Sequence, residues 1–298
     1  MYSIWRERHP GGNSVTFANC YEDGARAEAY ATLEFKNTYH LAYRDIPAIL
    51  TEHVRGRKSL DFGCGAGRST RFLRQLGFEV TGVDIAEDMI RKAQELDSSG
   101  DYRLIPGDDL SEFPSAAYDL IFAAFTFDNI GGKNPAETNN NKVRILRDLA
   151  RLLNRGGKLV LIVSRPEIYT HEWASFSTKA FPENQTAKSG DRVRIIVTDH
   201  ADPRPVEDIL WTDSSYREVF AESRLRPLGK YEPLARGDEP YSWVSESTTA
   251  PSSRTSHARP PLRSRPARVT LTVAVVVMGP IPRRPAPISR GASVPSMP

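Results

Sequence analysis

Three glycines spaced two residues apart, Gly63, Gly65 and Gly67, stand between a short apolar run and a helix-like stretch. Glycine reaches backbone conformations, and permits a close approach, that a Cβ atom would prevent, so such a turn can hold a ligand at a helix N-terminus. The dinucleotide-binding pattern is G-x-G-x-x-G, whereas here the third glycine comes one residue sooner and Asp61 lies two residues before the first. A carboxylate there suits a ligand with an ammonium group and repels a pyrophosphate. The stretch therefore predicts a nucleotide-type binding loop.

A second acid, Asp84, ends the next apolar run, seventeen residues after Gly67. A carboxylate at that place can accept both ribose hydroxyls, and this holds for NAD as for other adenosine cofactors. The alternative is that Asp84 caps the helix that follows, since aspartate is common before helices. With the glycine loop, Asp84 predicts an adenosine-containing cofactor without naming it.

The elements that must position these residues alternate between strand and helix. Strands are predicted at residues 58–62, 79–84, 102–106, 118–125 and 157–164, and the helices between them at 68–76, 86–96 and 141–153. Strands separated by helices of this length imply right-handed βαβ units and a parallel sheet covered on both faces. In such α/β sheets ligands bind beyond the carboxyl ends of the strands, which is where the glycine loop and Asp84 fall.

The stretch Leu-Asp-Phe-Gly-Cys-Gly-Ala-Gly at residues 60–67 resembles motif I of the class I S-adenosylmethionine-dependent methyltransferases. The resemblance covers about residues 22–245. It implies a Rossmann-like, mostly parallel sheet between helical layers, an N-terminal helical cap and a lid insertion at about 165–211. It also implies S-adenosylmethionine as the cofactor.

The resemblance assigns a set of cofactor-binding residues by position. They are Asp61, Gly63, Cys64, Gly65, Asp84, Ile85, Asp108, Asp109 and Phe125. Asp108 would accept from the adenine amine and the backbone N–H of Asp109 would donate to a ring nitrogen, although both acids could instead be turn formers. In the N-terminal helices, Tyr30 or Tyr39 would cover the cofactor and Arg44 would meet its carboxylate. The alternative there is that both tyrosines pack and Arg44 is a solvated charge.

Two residues are candidates for acid–base chemistry. Asp128 follows the fourth strand, the position from which the family lines the reacting methyl group, and it could be a general base or bind a metal with Asn129. One acid without nearby ligands predicts no metal. His171 stands beside Glu172 as a possible acid–base pair, although a lone histidine in a loop is more often structural or solvated.

Composition bears on the partners. The formal charge is +3, but the residues from 251 onward carry eight arginines and no acid, which leaves −5 on the rest of the chain. An acidic body argues against nucleic-acid binding, and the chain lacks the Asn/Asp-Pro-Pro-Tyr/Phe motif of methyltransferases that act on bases or on protein glutamine. A small-molecule acceptor is the prediction. Two cysteines and no long apolar run predict a cytoplasmic protein without a membrane segment, and the oligomeric state is not indicated.

Three parts of the chain are predicted. Residues 1–21 form a loose N-terminal segment, 22–245 the methyltransferase domain, and 246–298 a Pro/Arg/Ser-rich tail that is disordered except for a possible displaced seventh strand at 269–278. The predicted function is methyl transfer from S-adenosylmethionine to a small molecule. The alternatives are an NAD(P)-dependent oxidoreductase and a non-catalytic S-adenosylmethionine-binding protein.

Overall fold

The computed structural model describes residues 23–246 and 273–280. The strands are β1 Lys58–Phe62, β2 Glu79–Asp84, β3 Asp101–Leu104, β4 Tyr118–Ala124, β5 Leu153–Ser164, β6 Phe176–Ser177, β7 Arg192–Val197, β8 Val206–Ile209, β9 Leu225–Tyr231 and β10 Val273–Pro280. Seven of them form one sheet in the order β3-β2-β1-β4-β5-β10-β9. The pairs among β1 to β5 are parallel, and β10 runs antiparallel to both of its neighbours. The predicted mostly parallel α/β sheet is confirmed.

Helices cover both faces of this sheet. They are α1 Gly24–Ala31, α2 Asn37–Arg44, α3 Ile46–His53, α4 Arg68–Gln75, α5 Glu87–Leu96, α6 Pro135–Leu152 and α7 Asp213–Glu222. One apolar core joins α6 and α7 to the sheet, and a second lies under α2, α3 and α4. Pro47 separates α2 from α3, since a proline is tolerated in the first turn of a helix but not in its interior. None of the helices within the described ranges is long and apolar enough to cross a membrane.

Strand β10 lies inside the sheet, between β5 and β9. Its Val277 pairs with Val160 of β5 and Gly229 of β9, and it is completely buried. The possible displaced strand predicted at residues 269–278 overlaps β10, which runs antiparallel to β5 and β9. The predictions of a loose 1–21 segment and of disorder around β10 lie outside the described residues.

The segment between β5 and α7, where an insertion is predicted at about 165–211, forms a small three-stranded sheet, β6-β7-β8. Its apolar side chains share a cluster with Leu33 and Tyr39 from the N-terminal helices. A buried ion pair joins Arg26 of α1 to Asp202 of the insertion, with Nε and Oδ2 3.2 Å apart. These contacts hold α1, α2 and the insertion together above the carboxyl ends of the strands.

Candidate functional site

The glycine loop joins β1 to α4 in a conformation that requires glycine. Gly63, Gly65 and Gly67 have φ angles of 75°, 53° and 80°, in the left-handed region. A Cβ atom on Gly63 would stand 2.4 Å from the Thr126 side chain, a separation that no packing permits. The backbone N–H groups of Gly63 and of the next residue both donate to the carbonyl of Val83, at 2.8 and 3.0 Å, which ties the loop to the end of β2.

Asp61 lies beneath the loop. Its Oδ2 accepts from Ser69 Oγ and Thr70 Oγ1, both at 2.6 Å, so it fixes the first turn of α4. Its Oδ1 is buried and has no partner within the described part of the chain. Burial raises the pKa of Asp61 to about 6, although the hydrogen bonds from the two hydroxyls act to lower it.

Asp84 supports the loop from the end of β2. Its two carboxylate oxygens accept from the backbone N–H groups of Gly65, at 2.8 Å, and Ala86, at 2.9 Å. Burial raises the pKa of Asp84, and these two hydrogen bonds act in the opposite direction. Asp84 therefore fixes the position of Gly65. A ligand that bound to Asp84 would contact a carboxylate that also orders the glycine loop.

A cavity opens beside the loop, at the carboxyl ends of β1, β4 and β5. Of the residues predicted to act here, it is lined by Gly63, Cys64, Gly65, Phe125, Asp128, Tyr30 and Tyr39. The others, Asp61, Asp84, Ile85, Asp108, Asp109, Arg44 and His171, are not among its lining residues. The site residues that the chain brings to one surface are thus the loop itself and the turn after β4.

Phe125 occupies a strained place in this cavity. Its φ of 59° is rare for a bulky side chain, and its N–H donates to Ile162 of β5 at 2.7 Å. The Phe125 ring meets the edge of Tyr39, with ring centroids 5.7 Å apart, and Tyr39 meets Phe176 of the insertion in the same way, at 5.3 Å. The three rings form an apolar wall that spans the sheet, α2 and the insertion.

Asp108 and Asp109 lie away from this cavity. Asp108 is paired with Arg144 of α6, and burial raises its pKa to about 6 in spite of that pair. Asp109 accepts from the N–H of Ser111 at 2.8 Å, as a turn former does. Asp109 thus has the hydrogen bond expected of a turn former. A contact of Asp108 or Asp109 with adenine stays a prediction.

Two arginines of α4, Arg68 and Arg71, line the cavity, and Arg44 does not. Arg44 makes ion pairs with Asp45 and Glu239, each at 2.8 Å. Arg68 lines the cavity, and its guanidinium carbon lies 4.5 Å from the centre of the Tyr39 ring, within cation–π range. Arg68 follows the third glycine directly, so its place at the start of α4 was the signal that could have identified it.

The predicted pair of His171 and Glu172 is not formed. His171 Nδ1 contacts Thr170 Oγ1 at 2.9 Å, while the Glu172 carboxylate accepts from the N–H of Thr178 at 2.6 Å. Each side chain is held by its own loop neighbours, because a turn of a few residues offers nearer partners than the cavity does. His171 does not line the cavity, and a role for it in catalysis stays a prediction.

Asp128 lines the cavity, and two further buried charged residues that the sequence did not indicate lie near it. Both of its oxygens lie within 3.1 Å of the backbone N–H of Ser164, and burial raises its pKa to about 7. Asp208 of β8 lines the same cavity, and fully buried Lys142 of α6 lies near both acids. A lysine in the apolar stripe of α6 was a usable signal, whereas Asp208 gave none. Within residues 23–246 and 273–280 no group of three His, Cys, Asp or Glu side chains is arranged to hold a metal ion.

Comparison with known proteins finds relatives for part of this chain. Residues 60–161 match a family described as a methyltransferase domain. A ubiquinone biosynthesis O-methyltransferase from Xanthomonas oryzae is 33% identical over 112 residues, which are 36% of this chain and 43% of that protein. A demethylmenaquinone methyltransferase from Tropheryma whipplei is 34% identical over 109 residues, 36% of this chain and 41% of that protein. The chain thus spans less than half the length of these curated relatives.

The fold is also that of solved methyltransferases. An S-adenosylmethionine-dependent methyltransferase from Clostridium acetobutylicum superposes with a TM-score of 0.53 at 12% identity, covering 88% of this chain and 99% of that one. The family match includes the glycine loop, Asp84 and the turn that holds Asp128. A methyltransferase domain in this fold indicates S-adenosylmethionine as the cofactor. Residues 60–161 therefore carry a methyltransferase domain, and the chain has the fold of a solved S-adenosylmethionine-dependent methyltransferase.

Proposed function

We propose that this protein transfers a methyl group from S-adenosylmethionine to a small molecule held in the cavity beside the glycine loop. The observation that carries the proposal is that the loop and the aromatic wall border one cavity, so that cofactor and acceptor can meet there. When bound, S-adenosylmethionine supplies an activated methyl group, and the protein then contributes mainly proximity and orientation.

The residues present fit this cofactor. Gly63 and Gly65 line the cavity with backbone atoms alone, so a ligand can approach the loop closely. The rings of Tyr39 and Phe125 offer faces to a sulfonium, and Arg68 offers a cation to a carboxylate. Asp84 remains the proposed ribose acceptor.

A small acceptor is supported by the closure of the cavity. Tyr30 of α1 and Phe176 of the insertion both line it, and the ion pair between Arg26 and Asp202 joins the two elements. One relative is named as an O-methyltransferase of ubiquinone biosynthesis, which agrees with a small molecule. The cytoplasmic location and the absence of nucleic-acid and membrane partners stay predictions.

Two measurements test this function. Calorimetry is expected to show binding of S-adenosylhomocysteine and none of NAD, and labelled S-adenosylmethionine is expected to mark compounds in a metabolite extract. Label in bulk tRNA, rRNA or DNA with none in metabolites would contradict the small-molecule acceptor. Binding without any transfer would favour a non-catalytic S-adenosylmethionine-binding protein.

Replacing Asp84 with alanine is expected to weaken S-adenosylhomocysteine binding. Hydrogen bonds to a charged group contribute about 1.5 to 3 kcal/mol, so the affinity should fall by about one to two orders of magnitude. Because Asp84 also orders Gly65, an Asp84→Asn protein serves as the control that keeps an acceptor in place. Unchanged affinity of Asp84→Ala in calorimetry would rule out the ribose assignment.

Replacing Arg68 with methionine is expected to weaken the binding of S-adenosylhomocysteine by about tenfold or more, because one charge-assisted hydrogen bond to its carboxylate is lost. Binding of methylthioadenosine, which lacks the amino-acid part, should stay as in the wild type. Arg44→Met is the matched control, because Arg44 is held by Asp45 and Glu239 away from the cavity. An equal loss for both ligands would show that Arg68 acts on the loop and not on the carboxylate.

A further inference from the structure

Two carboxylates and one ammonium form a buried group at the cavity, which we call the acid cluster: Asp128, Asp208 and Lys142. Asp128 and Asp208 line the cavity and are 3% and 7% exposed, and Lys142 is fully buried behind them. Lys142 donates to the carbonyl of Phe127 and lies 5.4 Å from the ring centre of Trp211. Asp208 accepts from Tyr169 at 3.1 Å. Buried charges are costly to keep, and here they are held where a ligand can enter.

The charges of the acid cluster do not balance. Two acids face one lysine, which in the described ranges makes no ion pair closer than 4.0 Å with either of them. Burial raises the pKa of Asp128 to about 7 and that of Asp208 to about 6, and it lowers the pKa of Lys142 to about 7. A group with one proton to gain near neutral pH is suited to act as a base, because proton transfer is efficient when the pKa is near the working pH.

An independent feature points to a ligand at the same place. Asn129 also lines the cavity and is 6% exposed. Its Nδ2 donates to the carbonyl of Phe125 at 2.8 Å, while its Oδ1 is buried with no partner within the described part of the chain. A buried amide oxygen without a donor is unfavourable, and a hydroxyl hydrogen of a ligand would supply that donor. Because Nδ2 is bonded to Phe125, Oδ1 is the Asn129 atom that is left to accept from that hydroxyl.

The remaining surface is apolar. The aromatic wall of Tyr39, Phe125 and Phe176 is continued by aliphatic side chains of the insertion, Ile168, Ile195, Val197 and Val206. An acceptor for this cavity needs an apolar body and one polar end. A neutral hydroxyl suits that end better than an ammonium, because Lys142 already supplies a positive charge and an ammonium has no lone pair until it loses a proton.

We propose, on the basis of the methyltransferase function above, that the acceptor is a phenol-type alcohol whose single hydroxyl hydrogen is shared between Asn129 Oδ1 and a carboxylate oxygen of Asp128 in a bifurcated hydrogen bond and then passes to Asp128, with Asp208 as the supporting carboxylate. The O–H bond breaks and its proton passes to a carboxylate oxygen of Asp128. A lone pair of the acceptor oxygen forms the new C–O bond, and the electrons of the broken C–S bond remain on sulfur. The products are a methyl ether, S-adenosylhomocysteine and a protonated carboxyl group.

Binding of three matched probes tests the acceptor class without turnover. With S-adenosylhomocysteine present, p-cresol is expected to bind at least about tenfold tighter than p-methylanisole, because only the phenol can donate to a carboxylate. In Asp128→Asn and Asp208→Asn proteins this preference should shrink to within about threefold, for the loss of the charge-assisted bond. Tighter binding of p-methylbenzylamine than of p-cresol would overturn the proposal in favour of a cation site.

Asp119→Asn is the matched control for these variants. Asp119 lies near the start of β4, whereas Asp128 follows the end of that strand. The Asp119 carboxylate accepts from the N–H groups of Arg57 and Lys58. It should keep the full preference for p-cresol. An undiminished preference in both cluster variants would also overturn the proposal. Failure of the wild type to bind S-adenosylhomocysteine would instead count against the methyltransferase function itself, so the two failures are distinguishable.

Transfer of a labelled methyl group to p-cresol gives the second readout. The rate should rise with pH between about 6 and 7, as Asp208 and Asp128 become carboxylates, and loss of the base should cost about 10²- to 10⁴-fold in Asp128→Asn. The titratable and charged groups that act on Asp128 from the packed elements are Asp208 and Lys142, with the phenols of Tyr169 and Tyr216 nearby. A rate of Asp128→Asn equal to that of the wild type, with the same pH profile, would contradict the role of the base.

Discussion

A Gly65→Val protein is expected to fold and to bind no measurable S-adenosylhomocysteine, a loss of more than about a hundredfold, or about 2.7 kcal/mol. Gly65 lines the cavity at a φ of 53°, and its N–H is held by Asp84, so the position cannot retreat when a side chain is added. We therefore expect a valine side chain at this position to occupy space that the cofactor requires. Calorimetry with S-adenosylhomocysteine measures the loss, and circular dichroism checks the fold.

Strain alone must be separated from occlusion. A β-branched residue at a left-handed position costs about 1 to 2 kcal/mol whatever surrounds it. Gly237 provides the matched control, since it has a φ of 87° and a Cβ there would meet nothing within 4 Å. Gly237→Val should lower stability by a similar amount and bind S-adenosylhomocysteine normally. A folded Gly65→Val protein with wild-type affinity would show that the cofactor does not approach this loop.

The features that sequence reasoning predicted well are those encoded locally. The alternation of strands with amphipathic helices determines a parallel sheet, and three glycines after β1 determine a loop, because both depend on residues close in the chain. Asp61 and Asp84 were identified as acids at the site from the same local pattern. What could not be predicted was the direction of their side chains, which face backbone N–H and hydroxyl groups of the loop and of α4.

The acid cluster shows where such reasoning ends. Asp128, Lys142 and Asp208 come from the turn after β4, from α6 and from β8, and only the folded insertion brings the last of them to the cavity. Nothing in the sequence near Asp208 distinguishes it from a surface acid of an edge strand. His171 and Glu172 illustrate the reverse case, since these neighbours in sequence are held by different hydrogen-bond partners.

Introducing a charge into β10 is expected to unfold the domain. Val277 is fully buried and packs in the same core as Leu120, Phe122, Val160 and Ile162. An aspartate there places a carboxylate in the interior, at a cost of several kcal/mol, which is a large part of the roughly 5 to 15 kcal/mol that stabilises a typical domain. Strands β5 and β9 would also lose the strand that joins them. Urea unfolding of Val277→Asp should show either no cooperative transition or a midpoint far below that of the wild type.

Val244→Asp is the matched control, because Val244 is 58% exposed and the same substitution there should change the urea midpoint little. Hydrogen exchange gives a second measure. Amides of residues 273–280 that donate to β5 and β9 should exchange as slowly as those of β4, since opening either ladder requires opening the sheet. A Val277→Asp protein with a wild-type midpoint, together with rapid exchange across 273–280, would mean that β10 does not hold the sheet together and that β9 is retained by its contacts with α7 alone.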